Sequence, residues 1–201
     1  MKFGRFLLTI LYPLFRLLYP FRVIGRENIP PEGEGRMLLC CNHISLIDPA
    51  YLLFGQKRPI YFMAKKEVLG NRFTRWLLGR QFGVFAVDRG AGDMAAIEHA
   101  VSLVESGKLM GIFPEGTRSK TGELGPIKSG AAWILSRTGA DLLPVCLLTR
   151  HQKVRPFRRV TVVIGKPIAA AELMPEGEKP NLRAISRRIR DELLQLTEAY
   201  A

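Results

Sequence analysis

Apolar residues along this chain fall into short, nearly unbroken blocks, separated by stretches in which they recur every three or four positions. The blocks at 21–25, 37–41, 60–64, 84–88, 109–113, 142–147 and 160–165 read as strands. Continuous rather than alternating apolar runs of this length are the pattern of strands covered on both faces. Helical spacing predicts helices over 49–55, 71–81, 93–106 and 129–138. The tail, 181–201, predicts a closing helix with Leu182, Ile185, Ile189, Leu193 and Leu196 on its apolar side. Its outer side places Arg187 with Asp191 and Arg188 with Glu192, four residues apart. Such alternation of strand and helix predicts an α/β domain with a mostly parallel central sheet covered by helices. The Gly and Pro clusters at 30–33 and 175–177 are turns too short to link two domains, so residues 21–201 read as one domain.

Residues 1–20 follow a different pattern. They are nearly all apolar, yet the longest uncharged run is 6–15, and ten residues fall well short of the roughly 20 that a helix needs to span a bilayer. At about 100° per residue, Lys2, Arg5, Thr9 and Arg16 fall within a sector of about 60°. A helix with one narrow basic stripe suits the headgroup plane, with its apolar flanks in the acyl boundary. Docking on the chain's own core is the other arrangement the pattern permits. Pro13 is expected to kink the segment or split it. Arg16 interrupts the apolar stretch and no A-x-A site follows, so a cleaved signal peptide fits poorly. Residues 1–20 are therefore expected to be an N-terminal amphipathic, membrane-associating helical segment.

Charge sharpens the choice of partner. The 201 residues carry a net charge of +12. Stretches 1–26, 57–80 and 150–166 hold +5, +6 and +6, which leaves the remainder at −5. Segregated bases point to an anionic partner. No aromatic-interleaved basic strand or reading helix is present, so nucleic acid is not expected and an anionic membrane surface is. Three cysteines without a C-x-x-C spacing fit a reducing compartment. A composition 47% apolar excludes a disordered chain.

The candidate chemistry begins directly after the block 37–41, with Asn42, His43 and Asp48 in an N-H-x4-D arrangement. The carboxyl end of a parallel strand is where α/β folds place their sites. His43 and Asp48 can meet if His43 lies in the turn and Asp48 starts the next helix. Asp48 followed by Pro49 reads as such a helix start, with Asp48 as the cap. A carboxylate on one imidazole nitrogen fixes the tautomer and leaves the other nitrogen to take a proton. Taken singly, Asp48 is most simply a helix cap and His43 most simply a hydrogen-bonded turn residue. Cys40, Cys41, His43 and Asp48 lack zinc spacing, so no metal is expected. Ser45 lies in no G-x-S-x-G elbow. After the block 109–113 comes Pro114-Glu115-Gly116-Thr117-Arg118-Ser119, whose amides, hydroxyl and guanidinium suit a phosphate or carboxylate.

Together these motifs resemble the glycerolipid acyltransferases of the lysophosphatidic acid acyltransferase type. The N-H-x4-D box is Asn42, His43 and Asp48. The second block runs from Gly83 through Asp88 to Arg89, the third from Phe113 to Ser119 with Lys128 to Ala131 following, and the fourth is Leu143, Pro144 and Val145. Ala64, Lys65, Lys66 and Glu67 match a segment often found between the first two. The blocks stand in family order over 42–145. The N-terminal segment is shorter than the transmembrane anchor of many members, which implies a monotopic enzyme.

The resemblance implies acyl transfer from a fatty acyl thioester to the sn-2 hydroxyl of 1-acylglycerol 3-phosphate, making phosphatidic acid in phospholipid biosynthesis. The same chemistry on another lyso-lipid, a lysophospholipid or lyso-ornithine lipid, is the alternative. His43 is expected to be the general base and Asp48 its orienting partner. Lys65, Arg89 and Arg118 are expected to converge on the acceptor phosphate, with Glu115, Gly116 and Thr117 completing the substrate-binding set. Glu115 would bond the acceptor or brace the basic cluster. No cofactor is expected, only acyl-CoA or acyl-acyl carrier protein as co-substrate. The expected location is the cytoplasmic face of the cell membrane, as a peripheral protein.

Overall fold

The computed structural model describes residues 2–88, 93–150, 152–175, 177 and 179–200, apart from the side chains of Lys2 and Arg5. Among these residues seven strands form one sheet: β1 (Phe21–Ile24), β2 (Met37–Cys41), β3 (Ile60–Lys65), β4 (Val84–Val87), β5 (Leu109–Ile112), β6 (Asp141–Thr149) and β7 (Val160–Ile164). Their order is β1-β7-β6-β2-β5-β3-β4. Every neighbouring pair is parallel except β6 and β7. The sheet is therefore mostly parallel, and β2, β3, β4, β5 and β6 all end at one edge.

All five residues of β2 are buried because successive side chains enter opposite cores. Leu38 and Cys40 join Met110, Leu142 and Cys146 on one face. That face is covered by α4 (Met94–Glu105), α5 (Ser129–Thr138) and α7 (Leu182–Tyr200). Met37, Leu39 and Cys41 join Leu143, Val145 and Leu147 on the other. There α2 (Asp48–Gly55) and α1 (Lys2–Leu18) pack. A central strand covered on both sides has no polar face, hence its unbroken apolar run. On α7, Ile185, Ile189 and Leu193 are buried, and Arg188 pairs with Glu192 at 2.7 Å. Among the described residues Arg187 and Asp191 form no such pair.

The stretch 71–81 is helical as expected, though not uniformly α: α3 (Arg72–Thr74) passes into a π-helical turn, Arg75–Gln81. A short helix, α6 (Ala170–Leu173), precedes α7. The N-terminal segment is not split at Pro13: one helix runs from Lys2 to Leu18 with Pro13 inside it.

α1 also docks on the domain. Gly4 is buried, and a Cβ there would lie 2.4 Å from the Gln81 carbonyl oxygen, so only glycine permits this approach. Further along, the Phe15 ring stacks on Phe54 at 4.6 Å and meets Tyr51 at 5.1 Å. Arg16, expected in the basic stripe, instead donates to the Phe21 carbonyl and lies over the Phe21 ring at 4.9 Å. No helix among the described residues is long and apolar enough to cross a membrane.

Candidate active site

β2 delivers Asn42 and His43 to the middle of the edge where the parallel strands end. The Asn42 side chain ties this exit to β6, donating to the Leu147 carbonyl at 3.1 Å and accepting from the Leu147 amide at 2.8 Å. His43 is then held on every side. Its amide donates to Glu115 Oε1 at 2.8 Å, and its carbonyl accepts from the Ser119 amide at 2.7 Å. Its ring lies on Phe113 at 4.1 Å with an interplanar angle of 21°, and Phe113 lies in turn against Phe62. The loop after β5 thus wraps the turn after β2.

His43 Nδ1 lies 2.7 Å from Asp48 Oδ2. The same oxygen accepts the amides of Ile44 and Ser45, each at 2.7 Å. Asp48 was expected to cap the helix ahead of it. Its carboxylate instead turns back into the His43 turn, where three donors converge, while the first-turn amide of Ala50 bonds the Ile47 carbonyl. Asp48 is fully buried, and its Oδ1 has no hydrogen-bond partner among the described residues. One turn along α2, burial pushes the Tyr51 hydroxyl's pKa up, and the charge of Asp48 adds to that. With Nδ1 committed to Asp48, Nε2 is the nitrogen left to exchange a proton.

Glu115 is also buried, and its second oxygen accepts from the Gly125 amide at 2.9 Å. Both of its oxygens therefore serve backbone amides, and it occupies the place of a brace beneath His43. Gly116 takes φ 71°, and a Cβ there would meet the Lys128 side chain at 2.9 Å. Lys128 and Gly116 help line a cavity of about 340 Å³ whose other walls include Met63, Ile97, Ile112 and Trp133. Thr117 and Arg118 follow on the same loop, exposed. Lys65 ends β3 at the same edge and pairs with Glu67 at 3.0 Å. Arg89 lies outside the described residues.

Sequence reasoning missed three contributors: Phe113 as the surface under the imidazole, Ser119 as donor to the His43 carbonyl, and Lys128 over Gly116. All three lie in or directly after the third block, and their types alone carried no signal. Leu143, Pro144 and Val145 belong to the core of β6, with Pro144 opposite Cys40 of β2. The cysteines are buried as well. Burial pushes the Cys146 thiol up to about 12 and raises Cys40 and Cys41 too, so none is poised as a nucleophile.

A family model described as acyltransferase matches residues 20–148. That segment holds all of the contacts around His43. The chain belongs to the acyltransferase family. The 1-acyl-sn-glycerol-3-phosphate acyltransferase of Bacillus subtilis is 28% identical over 178 residues, covering 87% of each chain. The enzyme of the same name from Borreliella burgdorferi is 30% identical over 182 residues, covering 88% of this chain and 71% of its own. The crystal structure of the 1-acyl-sn-glycerophosphate (LPA) acyltransferase PlsC from Thermotoga maritima shares the fold, with a TM-score of 0.70 at 24% identity. It covers 99% of this chain and 77% of that one. In this acyltransferase the first and third blocks touch, through the bonds of His43 to Glu115 and Ser119.

Proposed function

We propose that this acyltransferase moves a fatty acyl group from a thioester to the sn-2 hydroxyl of 1-acylglycerol 3-phosphate, yielding phosphatidic acid at a membrane surface. The observation that carries the chemistry is the 2.7 Å contact of His43 Nδ1 with buried Asp48. His43 Nε2 takes the hydroxyl proton while the acceptor oxygen attacks the thioester carbonyl. The C–O bond forms, the C–S bond breaks, and the thiolate recovers the proton from the imidazolium. Asp48 favours the imidazolium formed in between. The acceptor supplies the nucleophile, so no acyl-enzyme and no metal are required.

Arg118, Lys65 and Arg89 bind the acceptor phosphate, with Thr117 and the amide of Gly116 alongside. Fixing the phosphate orients the hydroxyl, and orientation of this kind can lower a bimolecular barrier by up to about 7–11 kcal/mol. The mostly apolar cavity beside Gly116 suits the methylene chain of a lipid. The acyl donor is acyl-CoA or acyl-acyl carrier protein. The names of the relatives favour lysophosphatidate over other lyso-lipid acceptors. α1 holds the enzyme peripherally on the membrane, on its cytoplasmic face.

Labelled palmitoyl-CoA or palmitoyl-acyl carrier protein, offered with a panel of lyso-lipids, tests this reading. Label is expected in phosphatidic acid when lysophosphatidate is supplied, and chelator is expected to leave the rate unchanged. Label only in another phospholipid would overturn the acceptor. No product from either donor would overturn the reaction.

A further inference from the structure

α1 meets two different surroundings. Gly4 and Phe15 face the domain, whereas Phe3, Phe6, Ile10, Leu14 and Leu17 are exposed. At about 100° per residue those five fall in one sector of about 80°, centred about 130° away from Gly4 and Phe15. Seventeen residues make a ridge about 26 Å long.

The ridge continues past both ends of α1 onto other parts of the chain. At the start, the Phe3 ring lies 5.6 Å from Trp76, and Trp76 lies 6.3 Å from Phe73. Phe73 is 65% exposed on α3, and Trp76 is exposed on the π-helical turn. At the finish, the Phe157 amide donates to the carbonyl of Leu18, the last residue of α1, at 2.6 Å. Phe157 is 68% exposed and takes φ 60°. A bulky residue in the left-handed region is an outlier. Here no burial against its own chain offsets that strain.

We propose that Phe73 and Trp76 at one end and Phe157 at the other are membrane anchors of the domain itself. With the outer face of α1 they form one rigid platform on an anionic lipid leaflet. This extends the membrane association proposed above from α1 to the body of the acyltransferase, and it rests on that reading. Charge selects the occupant. Arg72 and Arg75 flank the first anchor, and Lys153, Arg155, Arg158 and Arg159 flank the second. Bases around exposed aromatic residues match anionic headgroups above an acyl boundary. Two copies joined by this ridge would instead bring like charges together. The Phe157 loop connects β6 to β7 at the edge where β2 ends. The second anchor therefore stands at the catalytic end of the platform.

The test uses the full chain with vesicles of phosphatidylcholine and phosphatidylglycerol, some carrying brominated acyl chains. Trp133 lines the cavity assigned to a lipid chain, so quenching is read in a Trp133→Phe background, where bromine reports Trp76. Quenching is expected. Phe157→Gly suits a positive φ, so it is expected to keep or raise the melting temperature while lowering vesicle partition by about fivefold or more. Phe73→Ser is expected to lower partition similarly, and neither variant is expected to change acyl transfer in detergent. Unquenched fluorescence in vesicle-bound protein would overturn the proposal, as would a Phe157→Gly variant that partitions like the parent. A vesicle-free dimer abolished by these substitutions would overturn it too, by assigning the ridge to a second copy. Absence of acyl transfer by the parent in detergent would defeat the functional reading while leaving the quenching result intact.

Discussion

His43 is held through its amide, its carbonyl, one ring face and one ring nitrogen, whereas Arg118, on the loop that wraps it, is exposed and forms no ion pair with a described residue. Lys65, at the same edge, is exposed and pairs with its neighbour Glu67. On the proposed reading, the protein thus fixes the proton-transfer group in advance and leaves the anion-binding groups for the ligand to order. An arginine carries roughly 2 kcal/mol of rotamer entropy, which phosphate binding must offset. A loosely held base, by contrast, would lose alignment at every turnover. Losses on the His43 side are therefore expected in kcat, and losses on the Arg118 side in KM.

The largest effect is expected from removing the base: His43→Ala should lower kcat about a thousandfold, with vesicle binding unchanged in a sedimentation assay. Asp48→Asn should follow at about a hundredfold in kcat, since the amide cannot stabilise an imidazolium as a carboxylate does. Glu115→Ala strands the buried His43 amide and the half-buried Gly125 amide. It should cost about 3 kcal/mol in denaturant unfolding and lower kcat about tenfold by loosening His43. Arg118→Ala should raise the KM for lysophosphatidate about tenfold at nearly constant kcat. Smallest of all, thiol reagents at pH 8 should leave the folded enzyme active, because burial pushes the Cys146 thiol up to about 12 and raises the other two.

The central strands β2 and β6 were legible because both faces of the sheet are covered there, so each is an apolar block. The stretch 71–81 was legible as helical, but its π turn, Arg75–Gln81, was not, because the choice between α and π lies in tertiary contact. Of the two outcomes expected at Pro13, a kink or a split, the split does not occur: α1 is one helix, docked against Phe54, Tyr51 and Phe21. In the site, His43 and Asp48 were legible from five-residue spacing across a strand-to-helix turn. The double duty of Glu115 was not, since its partners are backbone amides that no side-chain pattern records. Asp48 was read as a helix cap because Asp followed by Pro carries that signal. The three donors that draw its carboxylate the other way appear only once the turn is folded.

Side-by-side steady-state kinetics of His43→Ala and Arg118→Ala, with lysophosphatidate varied at saturating donor, test the central claim most directly. The prediction is a collapse of kcat for His43→Ala and a raised KM for Arg118→Ala. A His43→Ala enzyme that keeps kcat within about tenfold of the parent would contradict a general base that contributes 10²-fold or more.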